Sequence, residues 1–232
     1  MVINILAMNQ KAPQVADTKI DLPPRESRYD SILTASEVVF ANSGFTGATM
    51  REIAELANVA QGLIHYHFKT KEILFEAMLA RRSGDINGSR AKLLADILAS
   101  NKNPNLEEIV EALFRPTIEA GLSQANDGGA FAKILVSTAN SASDTPHARL
   151  TEKYYDPIAQ KFISAIMLSE VQLTRENAVW AYMFAIGVGM TMMAKTGRPR
   201  RLSNGICDDG NADEMLAKII PFICAGIRAL TN

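Results

Sequence analysis

The chain has 232 residues, 47% of them hydrophobic, 21% charged and 6% aromatic, which is typical of a globular protein and excludes a disordered or low-complexity one. Its 24 Lys and Arg residues are balanced by 25 Asp and Glu residues, which argues against a protein that coats nucleic acid or acidic membranes through bulk charge. The two cysteines, Cys207 and Cys224, are too few for a disulfide framework and lack zinc-ligand spacing, so we expect no metal and a reducing, cytoplasmic compartment.

The N-terminal segment, residues 1–24, reads as a loose tail that ends at Pro23 and Pro24. It has no basic residues ahead of an apolar stretch and no cleavage site, so a signal peptide is not expected. After this tail, apolar residues recur at i, i+3, i+4 and i+7, and alternating β-branched runs are missing. The sequence therefore predicts an all-α protein.

The first predicted helix covers about 26–42 and ends at Asn42-Ser43-Gly44, where glycine suits the left-handed residue that follows a helix. Thr49 and Glu52 have the spacing of a capping box, so a short helix is predicted to begin at residue 50. Asn58, a residue type that tolerates positive φ, interrupts that helix.

A second short helix is predicted over about 60–66, with Ile64 facing inward and Gln61, His65 and Tyr66 as candidates for its outer side. Two short helices joined by a tight turn and supported by a longer first helix form the helix-turn-helix plan. This pattern indicates a protein that places a helix in the major groove of DNA.

The longer fourth helix is predicted to begin after Thr70 and to bend or break at Gly84 and Gly88. Further helices are predicted at 105–121, 129–142, 145–169, 174–195 and 212–230. Kinks are predicted at Pro116 and Pro221, and a long loop is predicted from 195 to 211. The uncharged stretch 177–194 is short for a membrane span, and we expect a buried or subunit-interface helix there.

Residues 28–75 read RYDSILTASEVVFANSGFTGATMREIAELANVAQGLIHYHFKTKEILF, and this segment resembles the DNA-binding domain of the tetracycline-repressor (TetR) family. The resemblance rests on an ordered series of Gly44-Phe45, Thr49, Ile53-Ala54, Val59 and Gly62, continued by His67-Phe68 and Lys71-Glu72. It implies a DNA-binding domain at 25–75 and a helical domain at 76–232 that dimerises and holds a small-molecule pocket.

Candidate DNA contacts follow from the groove chemistry and the resemblance together. Gln61 can pair with adenine, Gly62 allows close approach, and Leu63 can touch a thymine methyl group. Phosphates would be held by the hydroxyl groups of Thr49 and Tyr66 and the imidazole of His67. The ammonium of Lys71 would bind phosphate by charge. The full candidate set is Thr49, Gln61, Gly62, Leu63, His65, Tyr66, His67 and Lys71.

Several of these residues have alternative explanations. Thr49 is a helix cap in any case, Tyr66 can wedge between helices, and His65 and His67 are too close in sequence to share a helix face, so packing or phosphate contact is favoured over metal binding. The family commonly has Tyr where His65 stands, which leaves open whether His65 or Tyr66 contacts phosphate. Residues 25–75 hold five basic and six acidic side chains, so non-specific DNA affinity should be weak and dimerisation important.

The resemblance also implies roles in the second domain. Its last two helices would form the dimer interface, although packing within one subunit is the alternative, and the pocket would favour an apolar or amphipathic effector. The predicted interface residues are Ala181, Ala185, Gly189, Met193, Ile219, Phe222 and Ile223. The predicted pocket residues are Phe114, Thr117, Phe131, His147, Tyr154, Trp180 and Phe184.

Three function classes remain to be compared. A ligand-responsive repressor that binds a palindromic operator as a homodimer is favoured. An enzyme has little support, because the chain has three histidines and no nucleophile elbow, P-loop, dinucleotide-binding turn or HExxH motif, and no cofactor is expected. A helical module that binds another protein is the third possibility.

Overall fold

The computed structural model describes residues 25–123, 128–139, 146–193 and 196–231. These residues form helices and turns without a strand, so the all-α prediction is confirmed. None of the described helices has both the length and the apolar character of a membrane span. In chain order the helices are α1 Arg25–Gly47, α2 Met50–Leu56, α3 Gln61–Phe68, α4 Lys71–Ser100, α5 Leu106–Leu122, α6 Gly128–Ala139, α7 Pro146–Tyr154, α8 Asp156–Ser169, α9 Arg175–Met193, α10 Arg198–Leu202 and α11 Ala212–Arg228.

The turns between the first three helices follow their local sequence signals. The regular part of α1 is interrupted at Gly44, whose φ of 65° is left-handed, as predicted. The Thr49 side chain accepts from the Glu52 backbone N–H while the Glu52 carboxylate accepts from the Thr49 backbone N–H, so the predicted capping box is present. Asn58 has a φ of 52°, which confirms the turn between α2 and α3.

The fourth helix runs through both parts of the molecule. The Thr70 hydroxyl caps it by accepting from the Ile73 N–H, and its 30 residues give a rod of about 45 Å. It is continuous through Gly84 and Gly88, so the predicted bend or break is wrong. Glycine weakens a helix without forbidding it, and packing of the buried stripe on this helix outweighs that cost.

Two other boundaries differ from the prediction. The single helix expected at 145–169 is divided at Tyr155, because Pro157 has no N–H to continue the hydrogen-bond ladder and instead starts α8 in its first turn. The loop expected between Lys195 and Asn211 contains the short helix α10, which also has a proline, Pro199, in its first turn.

Two hydrophobic cores organise these helices. The first joins α1 to α4 and includes Phe131 and Leu135 of α6, so the core that supports the helix-turn-helix extends beyond residue 75. The second is formed mainly by α5, α8, α9 and α11. Because α4 contributes residues to both cores, it is the mechanical connection between them.

A buried ion pair lies where α1 meets α4. The Arg82 Nε atom is 3.2 Å from a carboxylate oxygen of Glu37, and the two side chains are only 9% and 1% exposed. The Arg82 guanidinium also lies 5.2 Å from the ring centroid of Phe131 on α6. Charge pairing and cation–π contact therefore fix the relative positions of these three helices.

Candidate functional site

The third helix presents one polar, exposed face. Gln61, His65 and Tyr66 are exposed, with Tyr66 at 79%, while Ile64 and Phe68 are buried. The apolar side chains fix α3 against α1, α2 and α4, so the polar face can be held at a constant orientation. This arrangement suits a helix that reads base edges.

The start of α3 is open to an incoming anion. Its N-cap residue is Ala60, which provides no side-chain hydrogen bond to the first N–H groups of the helix. A Cβ placed on Gly62 would meet nothing within 4 Å, so packing inside the protein does not require glycine there. An uncapped helix N-terminus beside a residue without a side chain is suited to close approach by a phosphate backbone.

The outer face of α3 continues into a groove against α1, lined by Arg28, Leu63, Tyr66 and His67. The His67 ring meets the ring of Tyr29 edge to face at 5.7 Å, which supports it from the side of α1. Arg28 is the residue that our candidate set lacked. No signal in the sequence marks this role, because only the fold brings the start of α1 beside His67.

The donors of Thr49 are used inside the protein. Its backbone N–H is 2.9 Å from a Glu52 carboxylate oxygen, and its hydroxyl donates to the same oxygen at 2.8 Å. A phosphate would therefore have to displace Glu52 to be bound by Thr49. The structure supports the capping role of Thr49, and the phosphate contact stays a prediction.

Lys71 also has an internal role. Its ammonium donates to the carbonyls of Ala48 at 2.9 Å and Thr46 at 3.3 Å, and it lies 4.8 Å above the Phe45 ring. These contacts hold the chain between α1 and α2 against the start of α4. One ammonium hydrogen is left for a phosphate, so a loss of DNA binding on mutation of Lys71 would combine two effects.

Positive charge on this face is sparse. Arg51 pairs with Glu55 at 2.9 Å, and that carboxylate raises the pKa of the Arg51 guanidinium. Within the described residues, Arg28, Lys69 and Lys71 form no ion pair, although Lys71 donates to two backbone carbonyls. Lys69 is exposed directly after α3, so Arg28 and Lys69, together with the remaining donor of Lys71, supply the available positive charge around the reading helix.

The predicted pocket residues do not form one group. Phe114 and Thr117 are buried in the second core, Phe131 is buried in the first core, and the Tyr154 hydroxyl donates to Glu76 at 3.1 Å. Trp180 and Phe184 are 53% and 58% exposed on α9, so they lie on the surface of this chain, and the pocket assignment stays a prediction. The side chain of His147 lies outside the described residues.

The predicted interface residues are mostly internal. Ala181, Ala185, Ile219 and Ile223 are at most 5% exposed, and Gly189 is also buried. Ala181, Ala185 and Ile223 nevertheless line the floor of a groove between α9 and α11, so their role at an interface stays a prediction. A Cβ on Gly189 would lie 2.1 Å from Phe114 Cε1, so glycine there admits the phenyl ring. The side chain of Met193 is outside the described residues.

A different apolar surface occurs on the same two helices. Phe222 of α11 is 67% exposed and lies beside a shallow groove that Phe184 also lines. Trp180 stacks on Phe184 with ring centroids 5.8 Å apart, and Met183 is 54% exposed. We refer to Trp180, Met183, Phe184 and Phe222 as the apolar face of α9 and α11; of these, only Phe222 was among the predicted interface residues.

Comparisons with known proteins agree with this architecture. Residues 32–78 match the profile of the bacterial regulatory proteins of the tetR family, and residues 111–226, half of the chain, match the tetracyclin repressor-like C-terminal domain. The chain belongs to the TetR family of DNA-binding transcriptional regulators, a class that is not enzymatic.

Individual relatives add detail. The chain is 33% identical over 84 residues to the transcriptional repressor NicS of Pseudomonas putida, and 30% identical over 106 residues to the transcriptional activator FasR of Mycolicibacterium smegmatis. These matches cover 36% and 45% of this chain and only 40% and 47% of the relatives, so they do not extend to whole-protein function.

Solved structures show the same fold. The fatty acid degradation regulator FadR from Bacillus halodurans aligns with a TM-score of 0.62 at 17% identity, over 85% of this chain and 98% of its own. A TetR-like regulator from Rhodococcus sp. RHA1 aligns with a TM-score of 0.60 at 18% identity, over 88% and 100%.

Proposed function

We propose that this protein is a repressor that binds a palindromic operator as a homodimer and leaves it when a small-molecule effector binds the C-terminal domain. The observation that carries the proposal is the exposed polar face of α3, held rigidly by Ile64 and Phe68 on its buried side. The TetR family membership supplies the class, and the geometry of this chain supplies the roles below.

The DNA contacts divide into base reading and phosphate positioning. Gln61 would donate to and accept from an adenine edge, and Leu63 would touch a thymine methyl group. Tyr66, His67 and Arg28 would bind phosphates along the groove between α3 and α1. Because few cations surround α3, affinity would depend on groove fit and on two reading helices acting together.

The apolar face of α9 and α11 supports dimer formation. Exposed aromatic and methionine side chains that lie together on two neighbouring helices favour burial against an identical surface. A two-fold dimer places its two copies of α3 in successive major grooves, so the operator would be palindromic. The effector would release DNA only if it binds more tightly to the conformation in which the two copies of α3 no longer match successive major grooves than to the conformation in which they do.

Selection of bound duplexes from genomic DNA of the source organism, with the full chain as bait, tests this proposal. We expect a palindrome bound in the nanomolar range, with Gln61→Ala costing about 1–3 kcal/mol at one base position in each half-site. Lys92→Ala is the matched control, because Lys92 is exposed on α4 within the second domain. A folded, dimeric protein that enriches no sequence would refute operator binding by the free protein.

A further inference from the structure

Arg90 is a buried cation on α4, and it differs from the other buried arginine of that helix. Arg82 is paired with Glu37 at 3.2 Å, whereas Arg90, only 5% exposed, forms no ion pair within the described part of the chain. Asp156 lies within electrostatic range of Tyr182 but makes no such pair with Arg90. A buried charge without a counterion is costly, so its retention needs a reason.

The hydrogen bonds of Arg90 fix its position without neutralising it. Its Nε donates to the Leu113 carbonyl at 2.8 Å, and its two terminal nitrogens donate to Thr117 Oγ1 at 2.6 Å and Asn87 Oδ1 at 3.3 Å. All three acceptors are uncharged. A guanidinium has five N–H groups, so two donors are left for a further acceptor.

Asn87 connects Arg90 with a second unused donor, because Asn87 accepts from Arg90 and its amide donates to the Tyr154 carbonyl at 2.8 Å, one residue before Tyr155. The Tyr155 hydroxyl, between α7 and α8, is buried and has no hydrogen-bond partner among the residues that the structure describes. Burial raises the pKa of the Tyr155 and Tyr182 hydroxyls, and the nearby Arg90 charge only partly offsets this, so both are protonated donors at neutral pH. Burial likewise lowers the pKa of Arg90, as expected for a cation that lacks its counterion.

We propose that Arg90 and Tyr155 bind the carboxylate group of the effector, and that the effector is therefore a monoanionic carboxylic acid with an apolar body. This rests on the proposed function, because it specifies the effector class for that domain. One fixed positive charge with one neutral hydroxyl donor matches a single negative charge better than the two charges of a phosphate monoester. The surrounding core, with Phe114 and Phe162, is apolar.

The placement of Tyr155 also connects this site with the DNA-binding part. Both Arg90 and Arg82 act electrostatically on its hydroxyl, and Arg82 holds Glu37 of α1. A carboxylate bound between Arg90 and Tyr155 would add negative charge within range of the ion pair that fixes α1 on α4. Effector binding would thus bias the position of α1 through charge.

The probes are straight-chain carboxylates from hexanoate to dodecanoate and phenylacetate, each compared with its primary amide. Calorimetric titration and thermal melting of the full chain should show binding and a raised Tm for at least one carboxylate and not for its amide. Octyl phosphate tests whether the site prefers a phosphate monoester to a carboxylate. Equal binding of amides, preference for octyl phosphate, or no binding across the series would overturn the proposal.

Two variants separate recognition from structure. Tyr155→Phe removes a hydroxyl that has no partner in the free protein, so its melting without ligand should match wild type, while carboxylate affinity should fall about tenfold or more. Carboxylate affinity should fall further in Arg90→Gln. Tyr29→Phe, at an exposed tyrosine of α1, is the matched control and should keep wild-type carboxylate affinity. If Arg90→Gln does not fold, Tyr155→Phe alone decides, and wild-type affinity in that variant would overturn the assignment.

The outcome is independent of operator binding. A protein that binds its operator but no carboxylate retains the regulator proposal and loses this one. A protein that binds a carboxylate through Arg90 and Tyr155 but no DNA keeps the site and loses the regulator proposal.

Discussion

Replacement of Gly62 by alanine should separate stability from DNA binding. A Cβ at this position meets nothing within 4 Å, so the methyl group causes no clash in the free protein. Alanine is favoured over glycine in a helix by up to about 1 kcal/mol, so the free energy of unfolding should stay equal or rise. On DNA, the same methyl group would stand between the α3 backbone and the duplex.

The expected loss can be estimated from packing. Forcing a methyl group into a close contact costs about 1–3 kcal/mol, which corresponds to operator binding weakened by about 5- to 150-fold. Fluorescence anisotropy with the selected operator measures the affinity, and urea unfolding measures the stability. Gly88→Ala is the control, because it is also helical, exposed and free of contacts, and it should gain stability without losing affinity. Gly62→Ala with wild-type operator affinity would refute close approach of DNA at this residue.

Three further predictions concern packing, assembly and pH. Gly189→Ala should destabilise the chain by about 1–3 kcal/mol in urea unfolding, because its Cβ would lie 2.1 Å from Phe114 Cε1; an unchanged midpoint would contradict this packing. Phe222→Glu should convert the proposed homodimer to monomers in sedimentation velocity, and a persistent dimer would show that another surface mediates assembly. Hydrogen bonds from Lys153 and Tyr154 lower the pKa of Glu76 below its ordinary value of 4.5. The stability that these bonds contribute is therefore complete above pH 4.5 and is lost on acidification. Glu76→Gln should show a smaller drop in Tm below pH 4.5 than wild type, and identical pH profiles of the two proteins would contradict the link.

The helix-turn-helix could be predicted from sequence because its signals are local. Thr49 and Glu52 are within one helical turn of each other, and Asn58 marks its own turn, so three-dimensional context was not needed. The uncapped start of α3 and the internal contacts of Lys71 could not be predicted, because they depend on how α1, α2 and α4 meet.

The second domain was harder to predict for a physical reason. Helix α9 is apolar on all sides, so periodicity shows which residues share a face but not which face is buried. Trp180 and Ala181 are adjacent in sequence, yet Trp180 is 53% exposed and Ala181 only 3%. One signal for the buried arginine was present: Ile86 and Leu94 lie four residues on either side of Arg90, so a charge interrupts an apolar stripe.

The Glu37–Arg82 pair restricts how the sequence can diverge. Losing either partner alone leaves an opposite charge buried between α1 and α4, at a cost of about 3–5 kcal/mol, which is a large share of the stability of a typical domain. Exchange of both residues for well-packed apolar ones would be far less costly, but it requires two substitutions with an unstable protein between them. After gene duplication, the residues of the reading helix and of the effector site could change one mutation at a time. The ion pair between α1 and α4, by contrast, can be replaced only by two substitutions together.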